Sequence, residues 1–222
     1  MDTLVFLDFD GVLNCELFFN RRNKESEAGI YRDYSESLLP HLDTEWFASL
    51  SERDQRLVEI IHKNISYTNY KILLKLLKKL HSPKIVLSTS WRHGFSASDW
   101  NKIFHKLPDW DCEIIGCTPT NPIKLPTYTP IKTMVEHREL TIGHIMEHEE
   151  WSRYKEILYF VCEYENKNRC FANYVILDDD DIYEGNSLYN SNKFFRTRRE
   201  SGLTNKDIRK ILKYHEELKN VR

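Results

Sequence analysis

The sequence predicts an α/β fold in which helices flank a parallel central sheet. Short apolar runs of strand length alternate with longer segments of helical periodicity, which is the pattern of strand–helix–strand units. The clearest runs are Leu4–Leu7, Ile85–Leu87 and Tyr174–Leu177. Polar side chains follow each run, and the carboxyl ends of parallel strands share one edge of the sheet, where α/β folds bind ligands. A functional site is therefore expected at this edge.

The first strand ends at Asp8 and Asp10, and Gly11 follows at once. Alternate residues of an extended chain point to the same face, so both carboxylates are expected to lie together. Two close negative charges are costly unless a cation lies between them, and Mg²⁺ prefers such oxygen ligands. A plain Asp-Gly turn after a strand is the alternative interpretation.

The segment between the first two strands is predicted to be mostly helical after an irregular start. Residues 15–50 are polar and mixed, which favours a loop with short helical pieces. Ser51 is predicted to cap a helix with an acidic first turn. A strongly amphipathic helix is predicted over residues 69–80, ending before Pro83 because proline breaks a helix. The second strand then ends at Ser88, which opens the sequence STSWR.

The rest of the chain is predicted to continue the same alternation. Its elements are, in order, a helix over 98–106, a strand over 112–115, a loop with Pro119, Pro122, Pro126 and Pro130, one or two helices over 131–165, the strand Tyr174–Leu177, a last strand over 193–196 and a helix over 204–219 capped by Thr204 or Asn205. The carboxylates of Asp178–Asp181 directly follow the strand Tyr174–Leu177. Their mutual repulsion favours a metal site over a solvated acidic turn.

Composition limits the class of protein. A net charge of −2 over 222 residues gives no sign of a dedicated nucleic-acid or membrane surface, and leaves room only for a local basic patch. No apolar run approaches the roughly 18 residues of a membrane span, and the opening residues are too short and acidic for a signal peptide. Five cysteines without a CxxC pair favour reduced thiols in a cytoplasmic protein.

Several short motifs together resemble one known family. They are DGVLN, STSWR, RYKEI, YVILDDD and SGLT, and the resemblance extends from residue 4 to about residue 205. The pattern is similar to the haloacid dehalogenase (HAD) superfamily, and within it to the branch found in RNA-repair and nucleic-acid-end phosphatase domains. The resemblance implies a Rossmann-like core in a single domain over residues 1–222, with insertions at 15–68 and 117–150 near the active site.

The resemblance also implies roles for the residues at the strand ends. Asp8 would be the nucleophile that forms an aspartyl-phosphate, and Asp10 would be the general acid and base. Ser88 would donate a hydrogen bond to a phosphoryl oxygen, with the hydroxyl groups of the next two residues as alternatives. Asp178 and Asp179 would bind Mg²⁺ together with Asp8 and the backbone carbonyl of Asp10.

A cation near the start of a helix is expected to bind the phosphoryl group. Arg153 and Lys155 both lie at a suitable distance before the acidic strand end, and the choice between them stays open, with a slight preference for Arg153. Further substrate contacts are expected from Gly11, Thr89 and Arg92. The alternative for Arg92 is packing against the neighbouring tryptophan.

The function implied by this pattern is Mg²⁺-dependent hydrolysis of phosphomonoesters, on nucleic-acid ends or nucleotides. A small-metabolite phosphatase or a phosphotransferase would share the same motifs. A non-catalytic phosphate-binding module with the same fold is the alternative from a different class. The basic residues that follow the last predicted strand, Arg196, Arg198 and Arg199, are expected near the site edge, within reach of an anionic substrate.

Overall fold

A computed structural model describes residues 2–27, 38, 43–119, 133–135, 138–140, 152–182 and 193–220. Its strands are β1 (Thr3–Leu7), β2 (Lys84–Leu87), β3 (Ile114–Cys117), β4 (Thr133–Val135), β5 (Arg138–Leu140), β6 (Asn173–Asp178) and β7 (Phe194–Arg196). Its helices are α1 (Glu16–Glu27), α2 (Thr44–Ala48), α3 (Glu52–Asn64), α4 (Tyr67–Lys79), α5 (Ala97–Phe104), α6 (Arg153–Asn168) and α7 (Asn205–Asn220).

The central sheet has five parallel strands in the order β3-β2-β1-β6-β7, which confirms the predicted α/β, Rossmann-like class. In the register of this sheet, Leu7 lies beside Leu87 on one side and Leu177 on the other. The next residue of each strand is polar: Asp8, Ser88 and Asp178. The register therefore brings three polar strand ends side by side.

The sheet separates two apolar layers. Val5 and Leu7 belong to a cluster with residues of α3, α4 and α5, including Leu73. Leu4 and Phe6 belong to a second cluster on the opposite face, which is formed largely with α6. Alternate residues of β1 thus serve opposite layers, as the pleat of a strand requires. Both layers hold β1, and with it the site edge, in a fixed position.

The helix ends follow the expected capping chemistry. The Ser51 side chain accepts a hydrogen bond from the Asp54 N–H at the start of α3, as predicted. The helix predicted over residues 69–80 is α4, and Ser66 caps it. At α7, Thr204 and Asp207 exchange side-chain and backbone hydrogen bonds, so Thr204 is the capping residue of the two that were predicted.

Several predicted boundaries differ from the structure. The segment 15–50 contains a helix of 12 residues, α1, where short pieces were expected. The third strand covers Ile114–Cys117 and not 112–115, because its pairing with β2 sets its ends. The helix predicted from residue 131 is wrong in its first part: β4 and β5 pair as antiparallel strands, and α6 begins only at Arg153. β-Branched residues in Thr133–Val135 favour a strand over a helix.

Part of the predicted organisation lies outside the described residues. Of the insertion at 117–150, the structure describes only residues 117–119, 133–135 and 138–140, so Pro122, Pro126 and Pro130 lie outside it. The segment predicted as an insertion at 15–68 includes α1, α2, α3 and the start of α4. Among the described helices, none has the length and apolar character to cross a membrane. All five cysteines are free thiols.

Candidate active site

The site lies at the carboxyl edge of the sheet, where β1, β2 and β6 end side by side. The Asp8 N–H donates to the Leu177 carbonyl at 3.0 Å, and the Ser88 N–H donates to the Leu7 carbonyl at 2.9 Å. The sheet pairing thus continues one residue beyond the strands. It fixes the backbone from which the functional side chains project.

Three buried carboxylates meet at this edge. Oxygen atoms of Asp8, Asp178 and Asp179 all lie within 4.8 Å of one another, and the three residues are 4%, 1% and 6% exposed. Burial raises the pKa of Asp8, and the neighbouring charge of Asp178 raises it further. Burial also raises the pKa of Asp178 and that of Asp179. A cluster of this kind carries unfavourable negative charge and is ready to accept a cation.

The donor set fits a hard divalent cation. Asp178 Oδ1 accepts the Asp180 N–H at 3.0 Å, whereas Asp178 Oδ2 is buried and has no hydrogen-bond partner among the described residues. An unpartnered buried carboxylate oxygen beside two further carboxylates is the arrangement that Mg²⁺ satisfies. Asp10 has its side chain outside this cluster. Its predicted part in metal binding, through the backbone carbonyl, stays a prediction.

Arg153 is a cation close enough to the cluster to act on two of its carboxyl groups. Its positive charge lowers the pKa of both Asp8 and Asp178, opposing the effect of burial. One of its terminal nitrogens, Nη1, is buried and has no hydrogen-bond partner in the described part of the chain. Lys155 is not among the charges that act most on either carboxyl group. The geometry favours Arg153 over Lys155 as the predicted phosphate-binding cation.

Two residues with hydroxyl groups, Ser88 and Thr89, follow β2 at the same edge of the sheet. Ser88 Oγ is buried and has no hydrogen-bond partner within the described ranges. The Thr89 hydroxyl donates to the Asp8 carboxylate, which lowers the pKa of Asp8. Ser88 is thus the hydroxyl with a free donor, and Thr89 is already engaged with the expected nucleophile. The substrate-binding role expected of Thr89 stays a prediction.

The carboxylate of Asp10 is held by neighbouring side chains. Asn14 Nδ2 donates to Asp10 Oδ1 at 2.8 Å. On the other side, the Trp91 indole Nε1 donates to Asp10 Oδ2 at 3.0 Å, and Ser90 Oγ lies at 3.4 Å from the same oxygen. Sequence reasoning did not single out Asn14, and it treated Trp91 only as a packing residue. Asn14 belongs to the motif DGVLN and Trp91 to the motif STSWR. Membership of these motifs was the signal in the sequence that could have identified them.

The backbone conformation of Gly11 and the close approach of Asp179 require glycine at this position. Its φ is +64°, and a Cβ atom there would lie 2.2 Å from Cγ of Asp179. Its N–H donates to Asn14 Oδ1 at 2.9 Å, and its carbonyl accepts from the Thr197 hydroxyl at 2.8 Å. Gly11 therefore lets Asp179 approach the first loop. The contact with substrate that was predicted for Gly11 stays a prediction.

Arg92 is buried and makes internal hydrogen bonds and an ion pair. The residue is 7% exposed, and its guanidinium donates to the carbonyls of Thr89 and Thr118 and to Glu156 Oε2, the last at 2.8 Å. Burial lowers its pKa, while the Glu156 carboxylate opposes that shift. These contacts occupy three of the five N–H donors of the guanidinium and make Arg92 an internal anchor. The substrate contact predicted for Arg92 stays a prediction.

Two arginines, one at the end of β7 and one after it, reach the edge of the carboxylate cluster. Arg199 Nε lies 3.2 Å from Asp179 Oδ2, and its side chain is 64% exposed. Arg196 Nε donates to the Asp179 carbonyl at 2.9 Å. The exposed Arg199 guanidinium therefore lies beside both the cluster and solvent.

A five-stranded parallel sheet with buried carboxylates, a buried hydroxyl and an arginine at its carboxyl edge defines an α/β domain with a candidate site for a cation and an anionic group. The chain belongs to the family described as the HAD domain in Swiss Army Knife RNA repair proteins, which matches residues 4–208. Comparisons with curated proteins and with solved structures gave no significant match. Membership of this family supports a phosphatase-type hydrolase.

Proposed function

We propose that this protein hydrolyses phosphomonoesters in the presence of Mg²⁺, through an aspartyl-phosphate intermediate on Asp8. The observation that carries the proposal is a set of three buried polar atoms, on residues at or near the site edge, that have no hydrogen-bond partner among the described residues. They are Ser88 Oγ, Arg153 Nη1 and Asp178 Oδ2. Buried polar atoms are ordinarily hydrogen-bonded, so these atoms are expected to have partners that belong to a ligand. A phosphoryl group with its cation provides such partners.

In the first step, Asp8 attacks the phosphorus atom of the substrate. A bond forms between a carboxylate oxygen of Asp8 and phosphorus, and the bond from phosphorus to the leaving oxygen breaks. Asp10 transfers its proton to that leaving oxygen, which departs as an alcohol. Ser88 Oγ and Arg153 Nη1 donate hydrogen bonds to the phosphoryl oxygens and counter the charge that develops on them.

In the second step, water attacks the same phosphorus atom. Asp10 accepts a proton from this water, the bond between phosphorus and Asp8 breaks, and inorganic phosphate leaves. The Thr89 hydroxyl, which donates to the Asp8 carboxylate, helps to orient the nucleophile for attack and holds it once released. Asp8 is then ionised again and Asp10 is protonated, as at the start of the cycle.

The metal would be held by Asp8, Asp178 and Asp179, together with the backbone carbonyl of Asp10. When bound, Mg²⁺ neutralises negative charge between the nucleophile and the phosphoryl dianion. The fit rests on three carboxylates within 4.8 Å and on the unpartnered oxygen of Asp178.

The proposed substrate is a phosphorylated nucleic-acid end or a nucleotide, and we place the enzyme in the cytoplasm. The family description, which refers to RNA repair proteins, supports the substrate class. The exposed Arg199 beside Asp179 suits an anionic substrate larger than one phosphate. Free cysteines throughout the chain suit a reducing compartment. We also propose a single domain over residues 1–222, in which the segments 15–68 and 117–150 are insertions near the site.

The test is phosphate release from a panel of substrates, with Mg²⁺ and with EDTA. The panel contains p-nitrophenyl phosphate, nucleotides, sugar phosphates and end-phosphorylated oligonucleotides. Release that requires Mg²⁺ and is lost in Asp8→Asn supports the proposal. Asp181→Asn is the matched control and should keep its activity, because the Asp181 side chain is 60% exposed. Absence of release from every substrate by folded protein would contradict it. Fastest release from sugar phosphates would favour a metabolite phosphatase instead.

A further inference from the structure

The carboxylate of Asp10 is oriented by an unusual partner, the indole ring of Trp91. The two carboxylate oxygens are held from opposite sides, by Asn14 Nδ2 at 2.8 Å and by Trp91 Nε1 at 3.0 Å. Both distances are those of well-formed hydrogen bonds. A carboxyl group held at both oxygens has lost its freedom to rotate about its terminal bond.

The indole N–H can position Asp10 but cannot take part in proton transfer. It is a donor only, so it neither accepts a proton from Asp10 nor passes one on. Its effect on the reaction would therefore be geometric. The hydrogen bond fixes the plane of the carboxyl group and with it the direction in which the proton of Asp10 is presented.

Trp91 is itself firmly placed. Its backbone N–H donates to Thr89 Oγ1 at 3.3 Å, and its ring packs edge-on against Phe9 with centroids 5.3 Å apart. The next residue, Arg92, is buried and pairs with Glu156 at 2.8 Å. This ion pair anchors the turn Ser90–Arg92, and the indole nitrogen is thereby held within hydrogen-bonding distance of Asp10.

We propose that Trp91 is a positioning residue for proton transfer, which aims the carboxyl group of Asp10 at the leaving oxygen. This inference rests on the proposed function, because it assumes that Asp10 acts as the general acid. It assigns a task to each residue of the STSWR motif. Ser88 and Thr89 serve the phosphoryl group and the nucleophile, Ser90 and Trp91 hold Asp10, and Arg92 anchors the turn.

The inference predicts a dependence on the leaving group. A p-nitrophenolate leaves without help from an acid, whereas the alkoxide of an alkyl phosphate needs a proton as it departs. Trp91→Phe keeps an aromatic ring against Phe9 and removes the N–H donor. It should lower kcat/KM on β-glycerol phosphate by about tenfold or more, and change kcat/KM on p-nitrophenyl phosphate by less than about threefold, because kcat/KM reports the step in which the leaving group departs and not the later attack by water.

The control is Trp110→Phe, the same substitution at an indole nitrogen that has no hydrogen-bond partner among the described residues. It should leave the ratio of the two rates unchanged. Equal loss on both substrates in Trp91→Phe, or no loss on either, would overturn the inference. If Trp91→Phe fails to fold, Asn14→Ala removes the opposite donor and is judged by the same ratio. A folded wild-type protein inactive on these two substrates and on every substrate of the panel above would overturn the proposed function, and this inference with it.

Discussion

Asp178→Asn should make the metal-free protein more stable, although it changes a residue of the proposed active site. The oxygen atoms of Asp8 and Asp178 lie at most 4.8 Å apart. When both groups are ionised, two unit charges at that distance repel by about 3.5 kcal/mol at an effective dielectric constant of about 20, which is an upper bound because the pKa of Asp8 is raised to about 8. In the variant, the carboxamide oxygen can still accept the Asp180 N–H, and the amide nitrogen can donate to Asp8. Loss of the charge on residue 178 thus relieves the repulsion.

The net gain will be smaller than the full repulsion. The charge of Arg153 already offsets part of it, since it lowers the pKa of both carboxyl groups. We expect the free energy of unfolding in EDTA to rise by about 1 to 2 kcal/mol, which for a chain of this length raises Tm by about 3 to 6 °C. Mg²⁺ should raise Tm of the wild type but have much less effect on the variant, because a ligand of the metal is lost.

The pH dependence of stability follows from the raised pKa values of Asp8 and Asp178. The folded-state pKa of Asp8 and of Asp178 is raised, so the folded protein holds protons that the unfolded chain has released. Stability of the metal-free wild type should therefore fall as pH rises from about 4, the ordinary carboxyl pKa, through the raised values. Asp178→Asn should reduce this slope.

The measurement is thermal unfolding of both proteins in EDTA and in Mg²⁺, across pH. Asp181→Asn is the control, because this exposed carboxylate near the same strand end should change neither Tm nor the response to Mg²⁺. A variant that is less stable than wild type in EDTA, with an unchanged response to Mg²⁺, would refute the reasoning.

The remaining predictions concern single residues of the site. Gly11→Ala should weaken Mg²⁺ binding and destabilise the fold by about 1 to 3 kcal/mol, because Gly11 has a positive φ and contacts the metal-site loop. Thermal unfolding with Mg²⁺ would check this, and an unchanged Tm would count against it. Arg92→Met should cost about 3 to 5 kcal/mol, because it removes the 2.8 Å ion pair with the buried Glu156 and the hydrogen bonds to the carbonyls of Thr89 and Thr118. Chemical denaturation is the assay, and a loss below about 1 kcal/mol would argue that Arg92 is not an anchor. Arg153→Ala should reduce kcat/KM by at least about a hundredfold, whereas Lys155→Ala should stay within about threefold; the reverse order would exchange their roles.

The sequence was sufficient to predict the strands that carry the site. Continuous apolar runs of strand length are distinctive, and the alignment of parallel strand ends is a general property of such sheets. This is why Asp8, Ser88 and Asp178 could be placed together before the structure was considered. The register confirms that they follow directly from Leu7, Leu87 and Leu177.

The orientation of side chains could not be predicted in the same way. Arg153 and Lys155 lie two residues apart on one helix and so point to different sides, but the sequence does not show which side faces the sheet. Arg92 turns inward to pair with Glu156. This orientation could not be predicted, because Glu156 lies 64 residues away along the chain. The strands β4 and β5 were predicted as helix because three-residue strands are too short for a period of two to be recognised.

The most direct test of the central claim is to locate the phosphoryl group on the enzyme during turnover. Wild-type protein with Mg²⁺ and an active phosphomonoester would be quenched in acid, digested and mapped by mass spectrometry. The account predicts one phosphoryl group on the peptide that contains Asp8, and none on the same peptide of Asp8→Asn. A phosphoryl group on another residue, or activity of Asp8→Asn within about tenfold of wild type, would contradict it.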